Sequence, residues 1–82
     1  MKHIAHHGVT PSEAEAAVAD DPLDFSYEVV AGEERWTTVG HSSQMRILIV
    51  TWTFRQEKIR VVTARQATKR LRGDYLRAKG LQ

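Results

Sequence analysis

Cysteine is absent from the 82 residues, so neither a disulfide nor a thiolate zinc site can brace the fold, and a reducing compartment, the cytoplasm, fits the composition best. Long apolar runs are missing as well. The longest aliphatic stretch, Ile47 to Val50, falls far below the ~20 residues that span a bilayer, and the chain opens without the apolar segment of a secretory signal. The expectation is a soluble protein with no membrane partner. A chain of this length removes only about 60 to 65% of its unfolded surface from water, which leaves a thin core. With covalent staples excluded, a partner that binds the folded state is the remaining source of stability.

Charge of one sign is scarce in each half. Residues 1–34 hold one lysine against eight acids, a net of −7, and residues 35–82 hold eleven Lys/Arg against Glu57 and Asp74, a net of +9. The total of +2 hides a strongly basic second half, of the kind that concentrates a polyanion such as nucleic acid.

Thr10-Pro11-Ser12-Glu13 reads as a helix start, with Thr10 accepting from the Glu13 amide and Glu13 reaching back to Thr10. That helix is predicted to run to about Ala19 and to end at Asp20-Asp21-Pro22. Leu23, Phe25, Tyr27 and Val29 then alternate with polar residues as in a half-buried strand, and Ala31-Gly32-Glu33 supplies a turn. A second strand is expected over Arg35–Val39, then a polar loop from Gly40 to Gln44. Arg46–Phe54 has the β-branched and aromatic content of a central strand buried on both faces. Arg55-Gln56-Glu57 can close a hairpin into Lys58–Thr63, with Ile59 and Val61 on one face and Lys58, Arg60 and Val62 on the other. Thr63 can cap a final helix from about Ala64 to Lys79. Its stripe of Ala64, Ala67, Leu71, Tyr75 and Ala78 should face the sheet, leaving Arg65, Lys69, Arg72 and Lys79 outward. The order α-β-β-β-β-α predicts a single α+β domain over residues 1–82, with helices packed on one antiparallel sheet.

Several short strings carry a family resemblance. His7-Gly8-Val9, the alanine-rich helix into Asp21-Pro22, Gly32-Glu33-Glu34-Arg35, Val39-Gly40, Arg46 ahead of an aliphatic strand, and Ile59-Arg60-Val61-Val62-Thr63-Ala64-Arg65-Gln66-Ala67-Thr68 occur in order across most of residues 7–75. Together they resemble the BrnT toxins, small ribonucleases of type II toxin-antitoxin modules. The resemblance implies a RelE-like fold, a four-stranded antiparallel sheet with an N-terminal helix and a basic C-terminal helix. It also implies a metal-independent endoribonuclease without cofactor, which slows growth by cutting RNA. Its inhibitor would be a BrnA-like ribbon-helix-helix antitoxin that also carries the complex to operator DNA. Two departures stand out. Family members usually open with a strand and a helix ahead of the His-Gly string, so a shortened member or a late start is expected. The acid common early in the last helix gives way to Leu71-Arg72-Gly73, which points toward reduced activity.

Metal-free RNA cleavage requires a group to take the 2′-hydroxyl proton, cations to hold the charge growing on the phosphorane, and a proton for the leaving oxygen. Arginine suits the middle role, because its planar fork stays charged and grips phosphate bidentately. Arg60 and Arg65, in the string most like the family, are the first catalytic candidates; Arg46 is a further one. His41 is a candidate acid or base in a polar loop, since its imidazole can titrate near neutral pH. Arg35, Lys69 and Arg72 are candidate RNA contacts, and Trp36 is the aromatic residue expected to be exposed for base stacking. Glu33 and Glu34 can supply a base, although a hairpin pair beside Arg35 more often serves that arginine. His3, His6 and His7 have helical metal-ligand spacing but no carboxylate close in sequence, so no metal site is expected. The rival readings are a non-catalytic nucleic-acid-binding module and a degenerate toxin retained as an antitoxin-binding co-repressor.

Overall fold

A computed structural model describes residues 8–19, 22–42 and 46–80. The elements are α1 (Pro11–Ala19), β1 (Leu23–Val30), β2 (Glu33–His41), β3 (Ile47–Arg55), β4 (Lys58–Gln66) and α2 (Lys69–Ala78). The four strands form one antiparallel sheet in sequence order. This is the α+β arrangement the sequence predicts. The β1–β2 and β3–β4 hairpins each turn on two residues with positive φ, Ala31 and Gly32 in one and Gln56 and Glu57 in the other. Such turns match the twist of the strands they join.

The helices lie on opposite faces of the sheet. On β3, Leu48, Val50 and Trp52 point toward α1, where Leu48 and Val50 join Val9, Ala14, Ala17, Val18 and Ala64 in the buried core. The intervening Ile49 points to the other face, where it lines a groove together with Leu71 of α2. Gly40 lets α1 come this close. A Cβ there would overlap the Ala17 carbonyl, so the approach of backbone to backbone requires glycine.

Three expectations are corrected. First, β4 runs to Gln66 and Thr68 caps α2, its hydroxyl accepting from the Leu71 amide. The sequence predicted a helix capped by Thr63, because Ala64, Ala67 and Leu71 fall at helical spacing. The ladder wins: Leu48 to Thr51 offer backbone partners to Gln66 through Thr63, and Ala64 is fully buried beneath α1. A bulge at Val62 resets the phase of the strand and makes its alternation hard to read. Second, a bulge at Phe25 divides the apolar stripe of β1. Leu23 pairs with Val39 on the α2 face, whereas Tyr27 pairs with Trp36 on the α1 face. Phe25, Tyr27 and Val29 are more than half exposed. Third, Gly40 and His41 extend β2 rather than open the loop; residues 43–45 of that loop lie outside the described residues.

Because its Cβ has no room, Gly40→Ala should lose about 2 to 3 kcal/mol or more of stability in urea denaturation. Gly73→Ala should gain up to ~1 kcal/mol, since that glycine sits inside α2 and its Cβ would meet only the end of the Arg77 side chain.

Candidate nucleic-acid interface

Strand alternation sorts the charge by face. Among the described residues, every cation within a strand, Arg35, Arg55, Lys58, Arg60 and Arg65, projects from the α2 face. The strand positions facing α1 carry none. The α2 face is laid out in rows across the sheet. Ser26, Thr37, Thr51 and Thr63 form a row of hydroxyls, with Thr37 and Thr51 hydrogen-bonded at 2.9 Å. On one side of it lie Arg35 and Arg60, flanking Thr53. On the other side lie Val39, Ile49 and Arg65. Arg60 and Arg65 stand opposite Thr53 and Ile49, four positions of β3 apart, which is about 14 Å of strand.

Arg65 opens into a groove of ≈ 410 Å³ between the sheet and the start of α2, lined by Phe25, Ile49, Arg65, Thr68, Arg70, Leu71 and Asp74. At roughly 100° per residue, Leu71 and Tyr75 face the sheet, and Arg70 and Asp74 fall together on the groove side. Lys69 then points away from the sheet, and Arg72 lies on the opposite flank. The Thr68 hydroxyl satisfies the Leu71 amide and its carbonyl the Arg72 amide. The amides of Lys69 and Arg70 have no acceptor within the helix and carry the positive end of its dipole to the groove. Asp74 is held by Arg77 of the next turn.

A family model described as "Ribonuclease toxin, BrnT, of type II toxin-antitoxin system" matches residues 1–70. The chain belongs to the BrnT family. A search of the curated proteins finds no match to it. BrnT chains are thus ribonuclease toxins of two-component modules, with RNA as substrate and an antitoxin as partner. Leu71 and Asp74, two of the seven residues that line the groove, lie beyond the matched span. No helix among the described residues is long and apolar enough to cross a membrane.

Within this BrnT chain the sequence candidates separate. Arg65 lines the groove, and Arg60 and Arg35 share its face; Arg65 belongs to a strand rather than to the first turn of a helix. Arg35 is bound to Glu33 at 3.2 Å, and Glu33 also receives Arg55 at 3.0 Å. The Arg35 bond holds the Glu33 carboxyl below the ordinary carboxylate range. Glu34 instead accepts from the Tyr27 hydroxyl. His41 stands at the end of β2, half-buried, its Nδ1 3.1 Å from the hydroxyl of the buried Tyr75, and it does not line the groove. Trp36 stacks on Trp52 at 4.8 Å between ring centres, on the opposite face from the cations. His3, His6 and His7 lie outside the described residues.

Arg46 is engaged elsewhere. Its guanidinium donates to both oxygens of the Glu13 carboxylate, at 2.7 and 2.5 Å, and to the Gly8 carbonyl at 3.2 Å. Ser42 adds a hydroxyl at 2.8 Å to Glu13. Glu13 also accepts a hydrogen bond from the Thr10 backbone, the reach back that the capping box predicts. Thr10 in turn accepts from the Glu13 amide at 3.1 Å. The pair ties α1 to the start of β3. Arg46 hydrogen bonds, opposed by burial and aided by Ser42, hold the Glu13 pKa at about 2.

What sequence reading missed is the other wall of the groove: Phe25, Arg70 and Asp74. For Asp74 a signal existed, as the one acid in an otherwise cationic helix. For Phe25 none did, because the bulge that places it leaves no mark in the alternation.

A carboxyl whose pKa is depressed on folding stabilises above its unfolded value and loses that contribution as pH falls through its folded value. Glu13→Gln should therefore cost about 2 kcal/mol at pH 7, and the gap to the wild type should close between pH 4.5 and pH 2 in denaturant melts across that range.

Proposed function

We propose that this chain is an endoribonuclease toxin that cuts RNA by attack of a 2′-hydroxyl on its adjacent phosphate, with the groove beside α2 as its active site. The carrying observation is that Arg65, Arg70, Asp74 and the amino end of α2 converge on one groove. Asp74 takes the proton from the 2′-hydroxyl as its oxygen bonds to phosphorus. Arg65 and Arg70, with the free amides of the first helical turn, stabilise the charge gathering on the non-bridging oxygens. The bond to the 5′-oxygen breaks, that oxygen takes a proton from solvent, and a 2′,3′-cyclic phosphate remains. Arg60 and Arg35 hold phosphates further along the strand, beside the row of hydroxyls.

Arginines fill the electrophilic role that a metal would otherwise take, so the reaction proceeds without one. The cytoplasm, where RNA is reached, is the place of action. The antitoxin is the neighbouring gene's product, of ribbon-helix-helix type, which silences the toxin and carries the pair to operator DNA.

Leu71-Arg72-Gly73, which stand where the resemblance leads one to expect an acid early in the last helix, favour the rival reading of a non-catalytic toxin. Asp74, one helical turn further on, offsets that loss by bringing a carboxylate to the groove wall.

Purified toxin freed of antitoxin should cleave a short single-stranded RNA to cyclic-phosphate ends, at a rate unaltered by EDTA. Arg65→Ala should lower the single-turnover rate by about 100- to 1,000-fold, and Asp74→Asn by about 100-fold or more. Arg60→Ala should act mainly on KM. RNA left intact by the wild type would decide for the degenerate reading, and full activity of Asp74→Asn would remove that carboxylate from the chemistry.

A further inference from the structure

Phe25 is a large apolar side chain left 57% exposed on the face that carries every strand cation. A solitary exposed phenylalanine needs no explanation. This one is placed by a bulge, the device that re-aims one side chain out of strand register beside functional sites. Without the bulge, residue 25 would share a face with Tyr27 and Val29, on the α1 side. With it, Phe25 lines the same groove as Arg65, Arg70 and Asp74, and Ile49 and Leu71 extend its apolar part. The groove thus has an apolar end and an ionic end.

From this juxtaposition we infer that Phe25, with Ile49 and Leu71, forms a nucleobase subsite, in which a base next to the scissile phosphate stacks on the phenyl ring. This deepens the ribonuclease reading and rests on it. A nucleotide has this two-part chemistry: a flat ring with an apolar face, joined through a sugar to an anion. Aromatic side chains interleaved with cations are the usual means of holding unpaired bases. Charge decides the occupant. A free apolar ligand would gain nothing from Arg65 and Arg70, and an acidic peptide offers no flat ring. The aromatic stack of Tyr27, Trp36 and Trp52 lies on the face whose strands bear no cation, so it lacks the phosphate contact that base stacking needs beside it. The subsite also assigns a use to Leu71. An apolar residue in the groove wall supports a ring where a carboxylate would not.

Stacking is tested apart from cleavage with a 2′-O-methyl oligoribonucleotide, which binds but lacks the attacking hydroxyl. Phe25→Ala should weaken its binding about 5- to 100-fold, and Phe25→Trp should restore it. The residue is exposed, so both variants should melt with the wild type by circular dichroism. Replacing one nucleotide of the oligomer by an abasic site should weaken wild-type binding by the same factor and leave Phe25→Ala unaffected at that position. Equal affinity of wild type and Phe25→Ala, or equal loss in both proteins at every abasic position, overturns the subsite whether or not RNA is cut. Wild-type protein that loses binding with Phe25→Ala yet leaves unmodified RNA intact supports the subsite and overturns the nuclease reading alone.

Discussion

Everything in this molecule depends on the strict alternation of side chains along the central strand β3. Its even-numbered residues Leu48, Val50 and Trp52 belong to the α1 side, and its odd-numbered residues Ile47, Ile49, Thr51 and Thr53 to the α2 side. Since pairing locks the neighbours into the same phase, one strand settles which face each residue of β2 and β4 occupies. The α1 side becomes a small packed core, with Gly40 admitting the helix and Glu13 and Arg46 pinning it. The α2 side retains hydroxyls and guanidinium groups, and its buried strand residues are Val39 and Thr53.

This division explains how so short a chain supports both stability and chemistry. Leu48, Val50, Ala64 and Val9 are fully buried, and their burial is concentrated at one end of one face. The cations are spared that burial, which would strip them of solvent at high cost. They remain on a rigid sheet, where arginines four positions of β3 apart keep a fixed spacing. The acids serve the same end. Glu13 and Glu33 restrain Arg46, Arg35 and Arg55, while Arg60 and Arg65 stand exposed on the α2 side.

Two bulges do the fine positioning. The one at Val62 keeps Arg60 and Arg65 on one face although they are five residues apart in sequence, an odd spacing that regular alternation would split between faces. The one at Phe25 moves an aromatic ring from one face to the other. Each inserts one residue, breaks the alternation locally and leaves the rest of the ladder paired. Both place residues on the face proposed to bind a nucleotide.

Much of the molecule was legible in the sequence because it follows from local rules. Thr10 and Pro11 mark α1, the aliphatic run of β3 marks the central strand, and the clustered arginines mark a polyanion surface. The order of short strings carried the family. Where reading failed, long-range pairing had overruled a local pattern. Residues 63–66 have helical spacing, yet β3 needed their backbone groups. Arg46 looked like a free cation until α1 delivered Glu13 to it, from thirty-three positions earlier in the chain. The sequence by itself determined the number and order of elements, the basic half and the toxin family, since these rest on composition, period and near-neighbour motifs. Only the tertiary structure decided which arginines face the groove, that Asp74 and Phe25 join them, and that Arg46 and Trp36 do not. Those outcomes hinge on single-residue insertions and on contacts between distant segments, which leave the local pattern unchanged.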